Sequence, residues 1–206
     1  NAGGHVFGSP AGGYMSLICF RNGSLAREAV RNQFSLDWDA FSQALRDTPP
    51  GNEGKLMLPW FEPETVPRTS VGVQKKGLSN DDAAGHCRAV VEAQMISMKL
   101  HSQWMGETPT RINVTGGASM NEEILQIMAN VFQVPVRRQE STNGAALGAA
   151  LRAAQAVTGA DWESLSAPFL KTVQPDILPD PEHSQTYEQL SEAYAAFEKE
   201  ALESSN

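Results

Sequence analysis

Cysteine and histidine are scarce in this sequence. Its 206 residues include two cysteines and four histidines, and the histidines do not follow a metal-ligand spacing. A disulfide framework, or a metal site held wholly by this chain, is therefore not expected. Cys19 lies in an apolar, strand-like run and Cys87 on the apolar side of a predicted helix, so we expect two buried, reduced thiols.

Basic residues are outnumbered by acidic ones. Sixteen Lys and Arg stand against 24 Asp and Glu, which gives a formal net charge of -8, and no segment forms the basic stripe typical of nucleic-acid binding. We therefore expect no nucleic-acid partner. Ten of the acidic residues, but only two of the basic ones, lie in residues 161–206. We interpret this acidic tail as the solvated face of a C-terminal helix.

Long apolar runs are also missing. No run approaches the roughly 20 residues that cross a bilayer, and the N-terminus carries no signal-peptide pattern. These features predict a cytoplasmic protein without a membrane partner. The chain opens at Asn1-Ala2 without an initiator Met, which suits the remnant of a cleaved tag or a piece of a longer protein. With 41% hydrophobic residues it can bury one sizeable core, so we expect one domain over residues 1–206.

Hydrophobic periodicity and turn residues predict an α/β domain. The expected strands cover residues 14–20 (buried), 111–115 and 135–138. The expected helices cover residues 24–33, 37–46, 79–106 (capped at Ser79 or Asn80), 120–132, 143–158 and 181–203, the last docked through Leu190, Tyr194 and Phe197. The small side chains of residues 143–154 suit a helix that lies close to a neighbour. Residues 49–76, rich in Pro and Gly, predict a long irregular loop with a functional or interface role, and residues from 159 onward a Pro-rich linker before the last helix.

The most informative stretch is residues 112–123, which reads INVTGGASMNEE. A β-rich run ends in Gly116 and Gly117, and Ser119-x-x-Glu122 fits a capping box that opens a helix. Glycines allow a ligand to approach backbone N–H groups, and a helix N-terminus attracts anions, so this junction predicts a phosphate or nucleotide cradle. Asn121 would lie in the exposed first turn, where its amide can read the edge of a base. The alternative is a simple tight turn with a solvated Asn121.

Two blocks carry a resemblance to a known family. The order TGGAS-x-N, a helix, PV and NGAALGAALRAA over residues 115–154 resembles the C-terminal signature of the FGGY carbohydrate kinases. The block GSPAGGYMSLICFRNGSLARE at 8–28, followed by WDAF at 38–41, is most similar to the xylulokinases of that family. The resemblance spans about residues 5 to 158.

The resemblance implies an actin-like ATPase fold, related to ribonuclease H, in which two domains face each other across a cleft. This chain would be most of the second, nucleotide-binding domain, without the N-terminal sugar-binding domain. ATP and Mg²⁺ would be the cofactors, with Mg²⁺ not held by this chain alone, and the sugar would be bound through the missing domain. The family's catalytic aspartate and Gly-Thr phosphate loop do not match any segment here, so no catalytic residue is assigned. The resemblance leaves homodimer formation open.

The site residues that the resemblance implies are nucleotide contacts. Gly116 and Gly117 would let the ribose and phosphates approach the backbone, Asn121 would touch adenine, and Trp38 would flank the base. Trp38 and Phe41, three residues apart, could instead pack together in the core. Gly23 is a weaker candidate, because a glycine before a helix is equally well explained as a turn residue. The activity implied is phosphorylation of D-xylulose, with another ketose or polyol, or a non-catalytic nucleotide-binding scaffold, as the alternatives.

Overall fold

The computed structural model describes residues 3–139, 143–169 and 175–204. The α-helices of these ranges are α1 (Ser24–Gln33), α2 (Trp38–Asp47), α3 (Ala83–Ser102), α4 (Glu122–Phe132), α5 (Gly144–Thr158), α6 (Trp162–Ser166) and α7 (Ser184–Glu203). The strands are β1 (Gly4–Gly8), β2 (Tyr14–Ile18), β3 (Leu56–Leu58), β4 (Glu64–Thr65), β5 (Arg68–Thr69), β6 (Gln74–Lys76), β7 (Ile112–Val114) and β8 (Val136–Arg138). Asn1-Ala2, for which a tag remnant was considered, lies outside the described residues.

Helix α3 is the centre of the core. All of its residues from 85 to 97 are buried, as expected of a helix enclosed by neighbours on every side. Val30 of α1, Phe41 of α2, Leu58 of β3 and Tyr194 of α7 belong to the same apolar cluster. The predicted docking of the last helix is confirmed, since Leu190 and Tyr194 are buried and Phe197 packs against that cluster. Four elements are thus fixed around one helix.

The predicted order of strand, helix, strand, helix over residues 111–158 is confirmed. Strands β7 and β8 pair in parallel with Ile112 opposite Val136, and α4 connects them. Leu125 and Ala129 of α4 form a second apolar cluster with Val136. Helix α5 contacts α6, but none of its residues is buried, so close packing of its small side chains stays a prediction.

The N-terminal hairpin corrects two predictions. β1 and β2 pair antiparallel with Gly8 opposite Tyr14, and within residues 3–139, 143–169 and 175–204 they form a sheet of two strands. The segment was predicted to be buried, yet Tyr14 is 85% exposed and Cys19 is exposed. The run is apolar, but no second layer of the described chain covers it. Cys87 is buried as predicted.

The segment from 49 to 76 is not the irregular loop that was predicted. β3 pairs with β6 and β4 with β5, both antiparallel. Leu56, Met57 and Leu58 enter the main core, which explains why an apolar patch lies among the prolines and glycines. The segment is therefore mainly structural, and its Glu64 also supports the site described below.

Two helix starts differ from prediction for the same physical reason. A helix begins where a side-chain oxygen accepts a hydrogen bond from a free backbone N–H of the first turn. In both helices the residue that provides this oxygen lies later in the chain than the predicted cap. At α3 the cap is Asp82, which accepts from the Gly85 N–H at 2.9 Å, rather than Ser79 or Asn80. At α4 the cap is Asn121, which accepts from the Ile124 N–H at 3.1 Å.

Candidate functional site

A cavity of about 730 Å³ opens between the start of α1, the outer face of α2 and the turn that leads into α4. It is lined by Ser24, Arg27, Glu28, Trp38, Asp39, Ser42, Arg46, Gly117, Ala118, Met120, Asn121, Glu122, Glu123 and Ile124. Three of the five predicted site residues, Trp38, Gly117 and Asn121, therefore meet in one cavity. Gly116 directly precedes Gly117, and Gly23 directly precedes Ser24. The structure thus brings together segments that are far apart in sequence.

The glycine pair lies in a turn rather than at the first residues of a helix. Residues 117–120 form a 3-10 turn, and Ser119 is buried within it. The hydroxyl of Ser119 donates to the Gly116 carbonyl at 2.6 Å instead of accepting from the backbone of α4. The predicted capping box of Ser119 and Glu122 is therefore wrong. The hydroxyl closes the turn, and the helix starts at Glu122.

The two glycines differ in backbone conformation. Gly116 has φ 90° and ψ -180°, a conformation that is essentially restricted to glycine. Gly117 has no positive φ, and a Cβ added to it would meet no other atom within 4 Å. Neither backbone conformation nor packing within the described chain explains a glycine at 117. Gly117 lines the cavity.

Asn121 links the two walls of the cavity. Its Oδ1 accepts from the Ile124 N–H, and its Nδ2 donates to the hydroxyl of Ser42 at 2.7 Å. That hydroxyl in turn donates to the Trp38 carbonyl at 2.7 Å. Each end of the amide has a structural partner, but a primary amide carries two N–H donors, so one donor remains for a ligand.

Trp38 lies at the edge of the cavity and not in the core. Its side chain is 42% exposed, whereas Phe41 is fully buried, and their rings meet edge to face at 5.5 Å between centroids. The guanidinium of Arg31 lies over the indole, 4.5 Å from the ring centroid. Phe41 is a core residue, and Trp38 presents an indole to the cavity.

The start of α1 forms the third wall and is held by a buried carboxylate. Glu64 accepts from the Arg21 N–H at 2.7 Å and from the Asn22 N–H at 3.1 Å. It also accepts from the Asn22 side chain at 2.9 Å and the Thr65 N–H at 2.7 Å. Burial acts to raise the pKa of Glu64, but these hydrogen bonds outweigh it and the net pKa is lowered. The turn at Gly23 is thereby fixed in place.

Charged side chains of both signs line the cavity. Arg46 pairs with Glu123 at 3.4 Å, at the edge between this cavity and a neighbouring one. Glu28, Asp39 and Glu122 add carboxylates to the lining. In residues 3–139, 143–169 and 175–204, no group of three or more His, Cys, Asp or Glu side chains is arranged to hold a metal ion. In the same residues no helix has both the length and the apolar character needed to cross a bilayer.

Several contributors to this site were missed from the sequence. Ser42, Glu64 and Gln94 reach the site through contacts spanning 40 or more residues, which no local pattern encodes. One signal was available for Gln94, because a polar residue in the middle of a long helix predicted to pack in the core needs a polar partner. That partner is the turn at Gly23, since Gln94 Nε2 donates to the carbonyls of Asn22 and Gly23 at 2.7 Å each.

Comparison with known proteins gives a family match and a set of relatives. The sequence model of the FGGY family of carbohydrate kinases, C-terminal domain, matches residues 14–157. Among curated relatives, xylulose kinase of Mus musculus is 35% identical over 212 aligned residues that cover 97% of this chain and 38% of the relative. The chain thus spans less than two fifths of the length of that relative.

Solved structures share the fold. Xylulose kinase from Rhodospirillum rubrum superposes with a TM-score of 0.82 at 24% identity, covering 96% of this chain and 42% of that one. Gluconate kinase from Lactobacillus acidophilus gives 0.84 at 20% identity with the same coverage. These likenesses confirm the predicted α/β fold class, that of one half of an actin-like ATPase.

Proposed function

Because the chain belongs to the FGGY family of carbohydrate kinases, we propose that its cavity binds ATP and that the protein of which it is a part phosphorylates a sugar hydroxyl. The observation that carries the proposal is the meeting of Trp38, Gly117 and Asn121 in one cavity. The flat face of a base stacks on an aromatic ring, and its polar edge accepts from an amide donor. A phosphate chain needs backbone that no side chain covers.

Each of these residues contacts a different part of the nucleotide. Trp38 flanks the base, and the free Nδ2 hydrogen of Asn121 meets its polar edge. The backbone at Gly116 and Gly117 faces the ribose and phosphates, since nothing within 4 Å of either glycine occupies the space of a side chain. Gly23 contributes through the turn that positions Ser24 and α1 on the third wall.

The sugar that we propose is D-xylulose, so that ATP and D-xylulose become ADP and D-xylulose 5-phosphate. Support comes from the sequence relatives, of which the mouse protein is named xylulose kinase. The fold alone does not select the sugar, since a gluconate kinase superposes as well as a xylulose kinase does. Another ketose or a polyol is the alternative within the same class.

The chemistry divides between this chain and the remainder of the protein. Phosphoryl transfer needs a base at the acceptor hydroxyl, a cation at the phosphates and fixed donors that align the nucleotide. We assign only the donors to this chain. The base and the sugar contacts belong to the N-terminal half. Mg²⁺, to which this chain alone contributes no assigned ligand, would supply charge neutralisation at the phosphates. ATP as phosphoryl donor supports a cytoplasmic location.

The test uses the full-length protein, a coupled ADP-release assay and a panel of ketoses and polyols. We expect ATP turnover that depends on D-xylulose, and no turnover with this chain alone, because the base is missing. Calorimetry with ADP provides the second measurement. Nucleotide binding without turnover on any sugar would favour the non-catalytic scaffold, and turnover by the isolated chain would overturn the division of chemistry between two halves.

A further inference from the structure

The guanidinium of Arg27 is a buried charge at the edge of the cavity. The residue is 8% exposed and lines both the main cavity and a smaller one of about 110 Å³ behind it. Its Nη1 donates to Gln94 Oε1 at 2.6 Å. Burial lowers the pKa of Arg27, and the through-space attraction of Glu28 opposes that effect only in part. An arginine nevertheless stays charged at every physiological pH.

Arg27 lacks the counter-charge that the other buried arginine has. Arg88 is as deeply buried, and its Nε donates to Glu92 at 2.8 Å while its Nη2 donates to the Tyr187 hydroxyl at 2.7 Å. For Arg27, the described part of the chain places no carboxylate within ion-pair distance, and the guanidinium donates instead to the neutral amide oxygen of Gln94. A buried cation without an anion is costly, and a ligand that brings the anion removes that cost.

A purely structural role explains the position less well. Gln94 already fixes the turn before α1 through its two bonds to backbone carbonyls, and a neutral donor at 27 would satisfy its remaining oxygen. The guanidinium brings a positive charge and further N–H donors to the cavity that Ser24 and Gly117 also line. Because Arg46 is neutralised by Glu123, Arg27 is the cation of this lining that is left for a ligand.

We propose that Arg27 binds the phosphate groups of the nucleotide, with Gln94 as the residue that positions its guanidinium. This inference rests on the proposed ATP-binding function and names the side chain that recognises the charged end of the ligand. Arg27 is then a binding residue that contacts the ligand directly.

The experiment measures binding of ATP, ADP and adenosine to the full-length protein by calorimetry, for wild type, Arg27→Gln, Arg27→Lys and the control Arg152→Gln. Arg152 is an exposed arginine of α5 that bonds Gln155 of its own helix. Hydrogen bonds to charged groups are worth enough that Arg27→Gln should weaken ADP binding about 10- to 100-fold. Adenosine affinity should change by less than about twofold, since adenosine has no phosphate. Arg27→Lys should fall between, and Arg152→Gln should match wild type.

The outcomes separate the two proposals. Equal fold-losses for ADP and adenosine in Arg27→Gln, or an unchanged ADP affinity, overturn the role of Arg27 while ATP binding stands. A wild-type protein that binds none of the three ligands overturns the proposed function itself. Thermal unfolding checks the fold of each variant, and we expect Arg27→Gln to be no less stable, because it removes an uncompensated charge. If that variant does not fold, the ADP-to-adenosine comparison in Arg27→Lys decides.

Discussion

The amide of Asn121 donates a 2.7 Å hydrogen bond to the hydroxyl of Ser42, which lies 79 residues earlier in the chain. Ser42 then donates to the Trp38 carbonyl, so Asn121 and Trp38, which the family resemblance assigns to the same base, are also connected through the protein. The same Asn121 caps α4. A substitution at Asn121 therefore changes both stability and the proposed site, and the two effects must be separated.

The pair Asn121→Ala and Ser42→Ala separates them. Loss of the cap should lower the free energy of unfolding by about 1 kcal/mol in Asn121→Ala, and loss of a neutral hydrogen bond to the base should weaken ATP binding roughly 2- to 10-fold. Ser42→Ala removes the bridge but no proposed nucleotide contact, so its stability should fall while the Michaelis constant for ATP stays near wild type. Urea denaturation and steady-state kinetics on the full-length protein measure both. If both variants lost the same amount of ATP affinity, the hydrogen bond between Asn121 and Ser42 would be responsible, and a direct contact from the Asn121 amide to the base would be excluded.

The glycine pair gives a prediction with opposite outcomes at adjacent residues. Gly116→Ala should destabilise the fold by about 1 to 3 kcal/mol, because φ 90° with ψ -180° is strained for any residue with a Cβ. Gly117→Ala should leave stability within about 0.5 kcal/mol of wild type, since the added Cβ meets no protein atom. Its side chain would project toward the bound nucleotide, so ADP affinity should drop. Thermal melting measures the stability of both variants, and calorimetry measures their ADP affinity. Normal ADP affinity in Gly117→Ala would mean that Gly117 is only a turn residue.

Local sequence patterns predicted those helices and strands that are determined by residues close together in the sequence. The alternation of β7, α4, β8 and α5 was correct to within a few residues, because apolar periodicity and turn residues act over one or two turns. The start of α4 was wrong because two residues, Ser119 and Asn121, could each act as a cap. The hydroxyl of Ser119 is used within the 3-10 turn, where it donates to the Gly116 carbonyl, and Asn121 is therefore the cap.

Long-range relationships could not be predicted in the same way. The bond between Ser42 and Asn121 and the cluster around Glu64 join segments separated by 40 to 80 residues. An apolar strand such as β2 also gave a wrong prediction of burial, since burial depends on which layer covers a strand and not on the strand alone. That Trp38, Gly117 and Asn121 converge was expected from the family resemblance and not from any spacing.

Trp38 provides a spectroscopic prediction. Base stacking on an aromatic ring is worth about 1 to 3 kcal/mol, so Trp38→Ala should raise the Michaelis constant for ATP roughly 5- to 100-fold. The constant for the sugar should stay nearly unchanged. Adding ADP should change the indole fluorescence, and because the chain has four Trp, the change must disappear in Trp38→Phe. An identical fluorescence change in wild type and Trp38→Phe would exclude the indole at 38 as the base contact.

Protonation of Glu64 at low pH is expected to weaken the hydrogen bonds that hold the start of α1. Its carboxylate holds the backbone at Arg21 and Asn22, directly before the Gly23 turn and α1. Its pKa is lowered in the folded protein, below the ordinary glutamate value of about 4.3. A group with a lowered pKa contributes stability above its unfolded pKa, and that contribution is lost as the pH falls through the folded pKa. The window therefore lies below about pH 4.3.

We predict that Glu64→Gln is less stable than the wild type by about 2 kcal/mol at pH 7, because hydrogen bonds to a charged acceptor are lost and the new amide faces N–H donors. The gap should narrow as the pH falls below about 4.3, the unfolded value, and should close as the pH passes through the lowered folded pKa. Urea denaturation at pH 7, 5, 4 and 3.5 gives the difference between the two proteins, which cancels the titration of all other carboxylates. Glu64 supports the turn and does not contact the nucleotide directly. We therefore expect ADP affinity at pH 7 to fall only if the substitution displaces the start of α1. A gap that stays constant across this range would mean that the Glu64 carboxylate is not the acid-sensitive group beside the site.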